Sequence, residues 1–155
     1  MVEDSFQTDP ISALGLSPPV SIGRDASVGA ALDAVQRHGV GYVLVIDEGG
    51  RPVGMMSERE VLMKLVARDV KYDESVEKFA NRDVQTLTSR DPIARAIDIM
   101  NEGGERNIAI VDGDGKAVAV LRTLDIIDFL AEAFPAQVMN LPPRPHQLIP
   151  EPEGA

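Results

Sequence analysis

Apolar residues recur along the chain at two distinct periods. Val28, Ala31, Leu32 and Val35 are spaced i, i+3, i+4, i+7, and Ile93, Ala96, Ile97 and Met100 repeat that spacing. Such a pattern places each set on one face of a helix. Gly39 and the Gly103–Gly104 pair follow, as helix stops. Next come YVLVID and IAIVDGDG, short β-branched runs of the kind found in buried strands. The turns EGGR and GDGK lead back into PVGMM and AVAVL, which predicts two hairpins. Further helices are predicted over Glu58–Arg68 and Thr123–Ala133. With the short openings PPVSI and VQTLT, each unit reads strand, helix, strand, strand, helix.

The two units are copies of one plan. At an offset of 65 residues, Ile11–Leu65 aligns with Val76–Leu130 without a gap. Identities are few: Ala31/Ala96, Asp33/Asp98, Gly39/Gly104, Asp47/Asp112, Gly50/Gly115, Val53/Val118 and Leu65/Leu130. Shared hydrophobicity says more, because 18 aligned positions are apolar in both copies, whereas unrelated patterns would share about 11. The predicted organisation is an arm over 1–10, a first repeat over 11–68, a linker over 69–75 and a second repeat over 76–133. Six of the 11 prolines fall within Pro135–Pro152, so residues 134–155 read as an extended tail.

Composition narrows the chemistry. With 155 residues, 44% of them hydrophobic and 26% charged, the chain has the make-up of a globular protein. Its net charge of −10 repels a phosphate backbone, so nucleic acid is not an expected partner. The absence of cysteine excludes disulfides, thiolate nucleophiles and cysteine-ligated metals. His38 and His146 stand in unrelated segments, which leaves no histidine metal site in view. The acidic opening MVEDSFQTDP lacks the basic and apolar regions of a signal peptide, so no targeting segment is expected, and apolar runs of five residues cannot span a bilayer. The expectation is a cytoplasmic protein that is neither an enzyme nor membrane-bound. The second helix of each repeat carries surplus apolar residues (Val61, Leu62, Met63, Leu65, Val66; Ile126, Ile127, Phe129, Leu130), which predicts a homodimer.

The hairpin followed by GMMSEREVL, with a T/S-x-x-D-like step at the helix start, resembles the cystathionine-β-synthase (CBS) domain. Two copies resemble the CBS pair known as a Bateman module, and the likeness covers Ile11–Ala133. It implies an α+β fold of two tandem βαββα repeats packed sheet to sheet. It also implies clefts between the repeats for adenosine-containing ligands: AMP foremost, with ADP, ATP and S-adenosylmethionine in the same class. Such a module would regulate a partner protein in trans; a constitutive dimeric scaffold with degenerate clefts is the alternative.

A carboxylate in the first turn of a helix suits a ribose, since it accepts both hydroxyls of the vicinal diol through charge-assisted bonds. Nearby backbone N–H groups and the positive end of the helix dipole suit a phosphate. The family uses this arrangement, and the matching residues are Ser57 with Glu60 and Arg122 with Asp125. Glu60 is one methylene longer than the usual aspartate. Arg122 replaces the usual hydroxyl residue and Ala119 the glycine seen as Gly54. Arg122 either meets a phosphate or folds onto Asp125. By the family's interlocked layout, the Glu60 cleft draws on Met55, Arg59, Thr86, Leu87, Arg106 and Asn107, and the Asp125 cleft on Val120, Ser21, Ile22, Gly41 and Tyr42.

Plainer readings stand beside these. Ser57-x-x-Glu60 is a capping-box signature. Asp125 is also an acid favoured at a helix start. DGDGK resembles a calcium loop, but Thr123 stands where that loop needs its last carboxylate, so a hairpin turn is expected.

Overall fold

The computed structural model describes residues 8–133. The predicted tail over 134–155 and most of the arm lie outside the described residues. Each repeat forms a three-stranded sheet. In the first, β1 (Ser21–Gly23) runs parallel to β2 (Tyr42–Ile46), which pairs antiparallel with β3 (Pro52–Ser57). In the second, β4 (Thr86–Thr88), β5 (Asn107–Val111) and β6 (Ala117–Arg122) repeat that order. The helices are α1 (Val28–His38), α2 (Glu58–Glu60), α3 (Ile93–Gly103) and α4 (Thr123–Ala133).

Alternation along the strands builds three cores. Val43, Val45 and Met56 face the helices of the first repeat with Val28, Ala31 and Val35. Ile108, Ile110, Ala119 and Leu121 do the same in the second with Ile93 and Ala96. The residues between them point the other way. Tyr42, Leu44 and Met55 meet Ala109 and Val120 in a third cluster, where the sheets pack face to face. The α+β architecture of two tandem repeats packed sheet to sheet is therefore realised.

Local chemistry explains the element ends. The Ser27 hydroxyl accepts from Ala30 N at 3.1 Å and caps α1, while Gly39 ends it at φ 64°. Asp47 Oδ1 accepts from Gly49 N and Arg51 N at 2.9 Å, which closes the first hairpin. Asp112 closes the second through Asp114 N and Lys116 N, so DGDGK is a hairpin turn.

The repeats exchange their opening segments. Ile11, in the 3-10 turn Ile11–Leu14, packs into the second repeat's core, and Ile11 N donates to Asp91 O at 2.9 Å. Val76 and Ala80 pack into the first repeat's core, and Val76 N donates to Ala26 O at 3.0 Å. The stretch before Val76 is strapped across the start of α1, where Gly29 N donates to Tyr72 O at 2.8 Å.

The α-helix predicted over Glu58–Arg68 needs correction. After one α turn the chain widens into a π-helix over Val61–Val66, unlike the regular matching helix α4. Lys64 is tied here to Glu60 Oε2 at 3.3 Å and to Phe79 O at 3.1 Å. Phe79 belongs to the exchanged segment that packs on the first core.

Candidate functional site

The starts of α2 and α4 stand at matched places. Glu58 N donates to Gly41 O at 3.2 Å, and Thr123 N donates to Arg106 O at 3.1 Å. Each first-turn acid turns back onto the residue before its helix. Glu60 Oε1 accepts from Ser57 N at 3.2 Å, completing a capping box with the Ser57 hydroxyl. Asp125 Oδ2 accepts from Arg122 N at 2.8 Å, and Oδ1 meets the guanidinium of Arg122 at 3.2 Å. Of the two roles open to Arg122, the structure shows the contact with Asp125.

Around Asp125 lies a cleft of about 330 Å³. Leu16, Pro18, Val20, Val40, Tyr42 and Val120 supply its apolar wall. Arg122, Asp125, Asp128 and Glu132 supply its charge. The Tyr42 hydroxyl accepts from Val20 N at 3.1 Å, which pins two wall residues together. Burial pushes the Tyr42 phenol above its usual range. Asp125 is 17% exposed and Arg122 29%, so both are sheltered yet reachable.

The matching cleft at Glu60 has a different character. At the 65-residue offset, Leu16, Pro18, Val20, Val40, Tyr42, Val120, Arg122 and Asp125 match Asn81, Asp83, Gln85, Glu105, Asn107, Met55, Ser57 and Glu60, which line a hollow of only about 60 Å³. Apolar wall has become polar and acidic wall at five positions. One fold thus carries two clefts, one roomy, with apolar side chains facing charged ones, the other narrow and lined mostly by polar and acidic residues. Between them is a third hollow of about 520 Å³, where Arg59, Arg106 and Arg122 face Glu58, Glu60 and Glu105.

Several expected lining residues stand elsewhere. Ile22 packs on the first core, and Leu87 is buried in the second. Ser21 and Thr86 flank them on the exposed side of strands β1 and β4. Ile22 and Leu87 point into their own repeats, and Val20 and Gln85, just outside the strands, line the clefts instead. Gly41, Arg59 and Arg106 line the central hollow. Val120, Tyr42, Asp125 and Arg122 come together as expected, as do Met55, Ser57, Glu60 and Asn107. Sequence reasoning missed Leu16, Pro18, Val20 and Val40. For Leu16, Pro18 and Val20 the apolar, proline-bearing run LGLSPPV was the one visible signal, and Val40 stood between two glycines with none.

Chemically, the Asp125 carboxylate spends one lone pair per oxygen on Arg122 and keeps one on each. A vicinal diol can use those two acceptors, and a flat heteroaromatic ring fits the apolar wall. Among the described residues, no group of three or more His, Cys, Asp or Glu is placed to hold a metal, and no helix is long and apolar enough to cross a membrane.

Comparison with known proteins gives a consistent result. The family model for the CBS domain matches twice, over residues 11–67 and 76–132. A 17.7 kDa protein of Acidianus ambivalens is 28% identical over 113 residues, 73% of this chain and 68% of that protein. An A-adding tRNA nucleotidyltransferase of Aquifex aeolicus is 34% identical over 116 residues, which are 75% of this chain and 14% of the enzyme. Among solved structures, a CBS domain protein from Pyrobaculum aerophilum complexed with AMP superposes at a TM-score of 0.73, with 25% identity, 85% of this chain and 99% of that one. The CBS domain pair of protein MJ0100, in complex with 5′-methylthioadenosine and S-adenosyl-L-methionine, gives 0.70 and 21% over 78% and 98%.

Proposed function

Since this chain belongs to the CBS domain family, matched over both of its repeats, we propose that it is a regulatory module that binds one adenosyl compound in the Asp125 cleft and signals to a partner protein in the cytoplasm. The observation that carries this reading is the cleft itself: about 330 Å³ of space with an apolar wall and a sheltered carboxylate. That volume is within the range of small-molecule sites, roughly 300–1,000 Å³. In this reading the adenine lies along Val20, Val40, Tyr42 and Val120, and Asp125 accepts the ribose diol. The ligands named for the Pyrobaculum protein and the MJ0100 pair, AMP and two adenosyl thio-compounds, support the choice of class.

The scaffold reading has one observation in its favour, confined to the other cleft. Glu60 is already held by Ser57 and Lys64, and it also borders the open, charged central hollow in place of an apolar wall. The proposal therefore assigns one working cleft per chain. Exposed Met63, Val66, Leu124 and Ile127 on the second helices support a homodimer built through them. Thermal shift with AMP, ADP, ATP, 5′-methylthioadenosine and S-adenosylmethionine tests the function. Stabilisation by one of them that Asp125→Ala removes is the expected result. A flat response to all five leaves the scaffold.

A further inference from the structure

The charges around the Asp125 cleft differ from those a nucleotide needs. Asp125, Asp128 and Glu132 follow one another at i, i+3 and i+7, so α4 presents all three on one face, and all three line the same cavity. Arg122 is the one cation of that lining, and it already contacts Asp125. Among the described residues, no cation forms an ion pair with Asp128 or Glu132. A ligand seated in this cleft therefore meets three carboxylates against one guanidinium, on a chain whose net charge is −10. Asp128 and Glu132 are exposed, so the field they add at the cleft is one that salt screens. A 5′-phosphate placed here is repelled. A positive centre close to the ribose is attracted.

We infer that the cleft selects adenosyl compounds whose 5′ substituent is cationic, an adenosyl sulfonium above all, over adenosine 5′-phosphates. The inference rests on the adenosyl reading proposed above and adds the charge of the ligand to it. Asp125 holds the ribose in both cases, so charge discrimination falls to Asp128 and Glu132, which stand about one and two helical turns further along α4.

Calorimetry with three probes that share the adenosyl group and differ in charge at its 5′ substituent separates the possibilities: S-adenosylmethionine, uncharged 5′-methylthioadenosine and AMP. At low ionic strength the sulfonium binds more tightly than AMP by about tenfold or more, with the thioether between them. Raising the salt shortens the screening length from about 10 Å at 0.1 M to about 3 Å at 1 M and narrows that gap. The double variant Asp128→Asn/Glu132→Gln brings AMP to within about threefold of the sulfonium and leaves the thioether unchanged, since only a charged ligand senses the lost charges. AMP binding as tightly as the sulfonium, with both lost in Asp125→Ala, overturns the charge selection and leaves the adenosyl reading standing. A gap that persists in the double variant overturns the assignment to Asp128 and Glu132. Binding by none of the three overturns the adenosyl reading and this inference together.

Discussion

Arg122 holds Asp125 from two sides, with its backbone N–H on Oδ2 at 2.8 Å and its guanidinium on Oδ1 at 3.2 Å. The pair nevertheless leaves its cleft open. Arg122 and Asp125 both line the cleft, and about 330 Å³ remains beside them. Ser57 and Glu60 make the matching backbone contact at 3.2 Å, yet the hollow between Glu60 and Gln85 is about 60 Å³ and Glu60 otherwise faces the charged central hollow. What separates the clefts is the wall, not the acid.

The first prediction distinguishes the two acids. Asp125→Ala removes both diol acceptors, each charge-assisted bond worth about 1.5–3 kcal/mol, and weakens ligand binding by roughly ten- to a thousandfold. Glu60→Ala leaves binding within about twofold, because it lines the other cleft. Both lose about 1 kcal/mol of stability, since each acid satisfies a backbone N–H at a helix start. Denaturant melts give the stabilities and calorimetry the affinities. Loss of binding in Glu60→Ala alone would place the ligand in the wrong repeat.

A second prediction concerns Gly54. A Cβ built there would lie 2.9 Å from the Ala80 Cβ, in the segment the second repeat lends to the first. Here Met55 N donates to Asn81 O, and Asn81 N to Met55 O, both at 2.9 Å. Gly54→Ala therefore costs about 1–3 kcal/mol by overpacking. Ala80→Gly in the same chain restores part of it, less the entropy of a new glycine. The matching pair is reversed in the other repeat, where Ala119 and Gly15 line one hollow. Equal melting temperatures for wild type and Gly54→Ala would contradict this packing.

A third concerns Tyr42. Its hydroxyl is the acceptor for Val20 N, so Tyr42→Phe strands a part-buried donor and costs about 1–3 kcal/mol. Burial raises the folded-state phenol pKa, so the folded state keeps its proton to higher pH than the unfolded chain. That stability is complete below about pH 10, the unfolded value, and is lost as the pH rises through the raised folded value. Alkaline melts of Tyr42→Phe should lack this component. A wild-type curve that falls no more steeply than the variant above pH 10 would exclude it.

A fourth concerns assembly. Leu124 and Ile127 are 51% and 53% exposed, one turn apart on α4, and Met63 and Val66 are 61% and 71% exposed on the π segment. Light scattering should give a dimer mass for the wild type and a monomer mass for Leu124→Glu/Ile127→Glu, with an unchanged circular dichroism spectrum. A wild-type monomer at micromolar concentration would overturn the homodimer.

Periodicity alone determined much of this protein. The i, i+3, i+4, i+7 faces located α1 and α3, the β-branched runs located β2 and β5, and the 65-residue offset showed one plan used twice. The faces and the runs are local, each written within about a dozen consecutive residues, and the repeat needs only the chain compared with itself. The first-turn acids were equally legible, because a cap is a three-residue relation. The π-helix was not, since Val61–Val66 carries no mark separating it from a regular helix, and Lys64 bridges there to Phe79 from the exchanged segment.

The character of each cleft was decided only by tertiary structure. Exchange of the opening segments sets Leu16, Pro18 and Val20 against Val120 and Asp125, and sets Asn81, Asp83 and Gln85 against Met55 and Glu60. These partners lie far apart in sequence, and no periodicity spans such a distance. Ile22, inside β1, packs on the first core, whereas Val20, just outside the strand, reaches the cleft, and no pattern in the sequence marks that strand boundary. The order of the residues specified which elements form. The packing of one repeat's opening against the other's hairpin specified which cleft stays open.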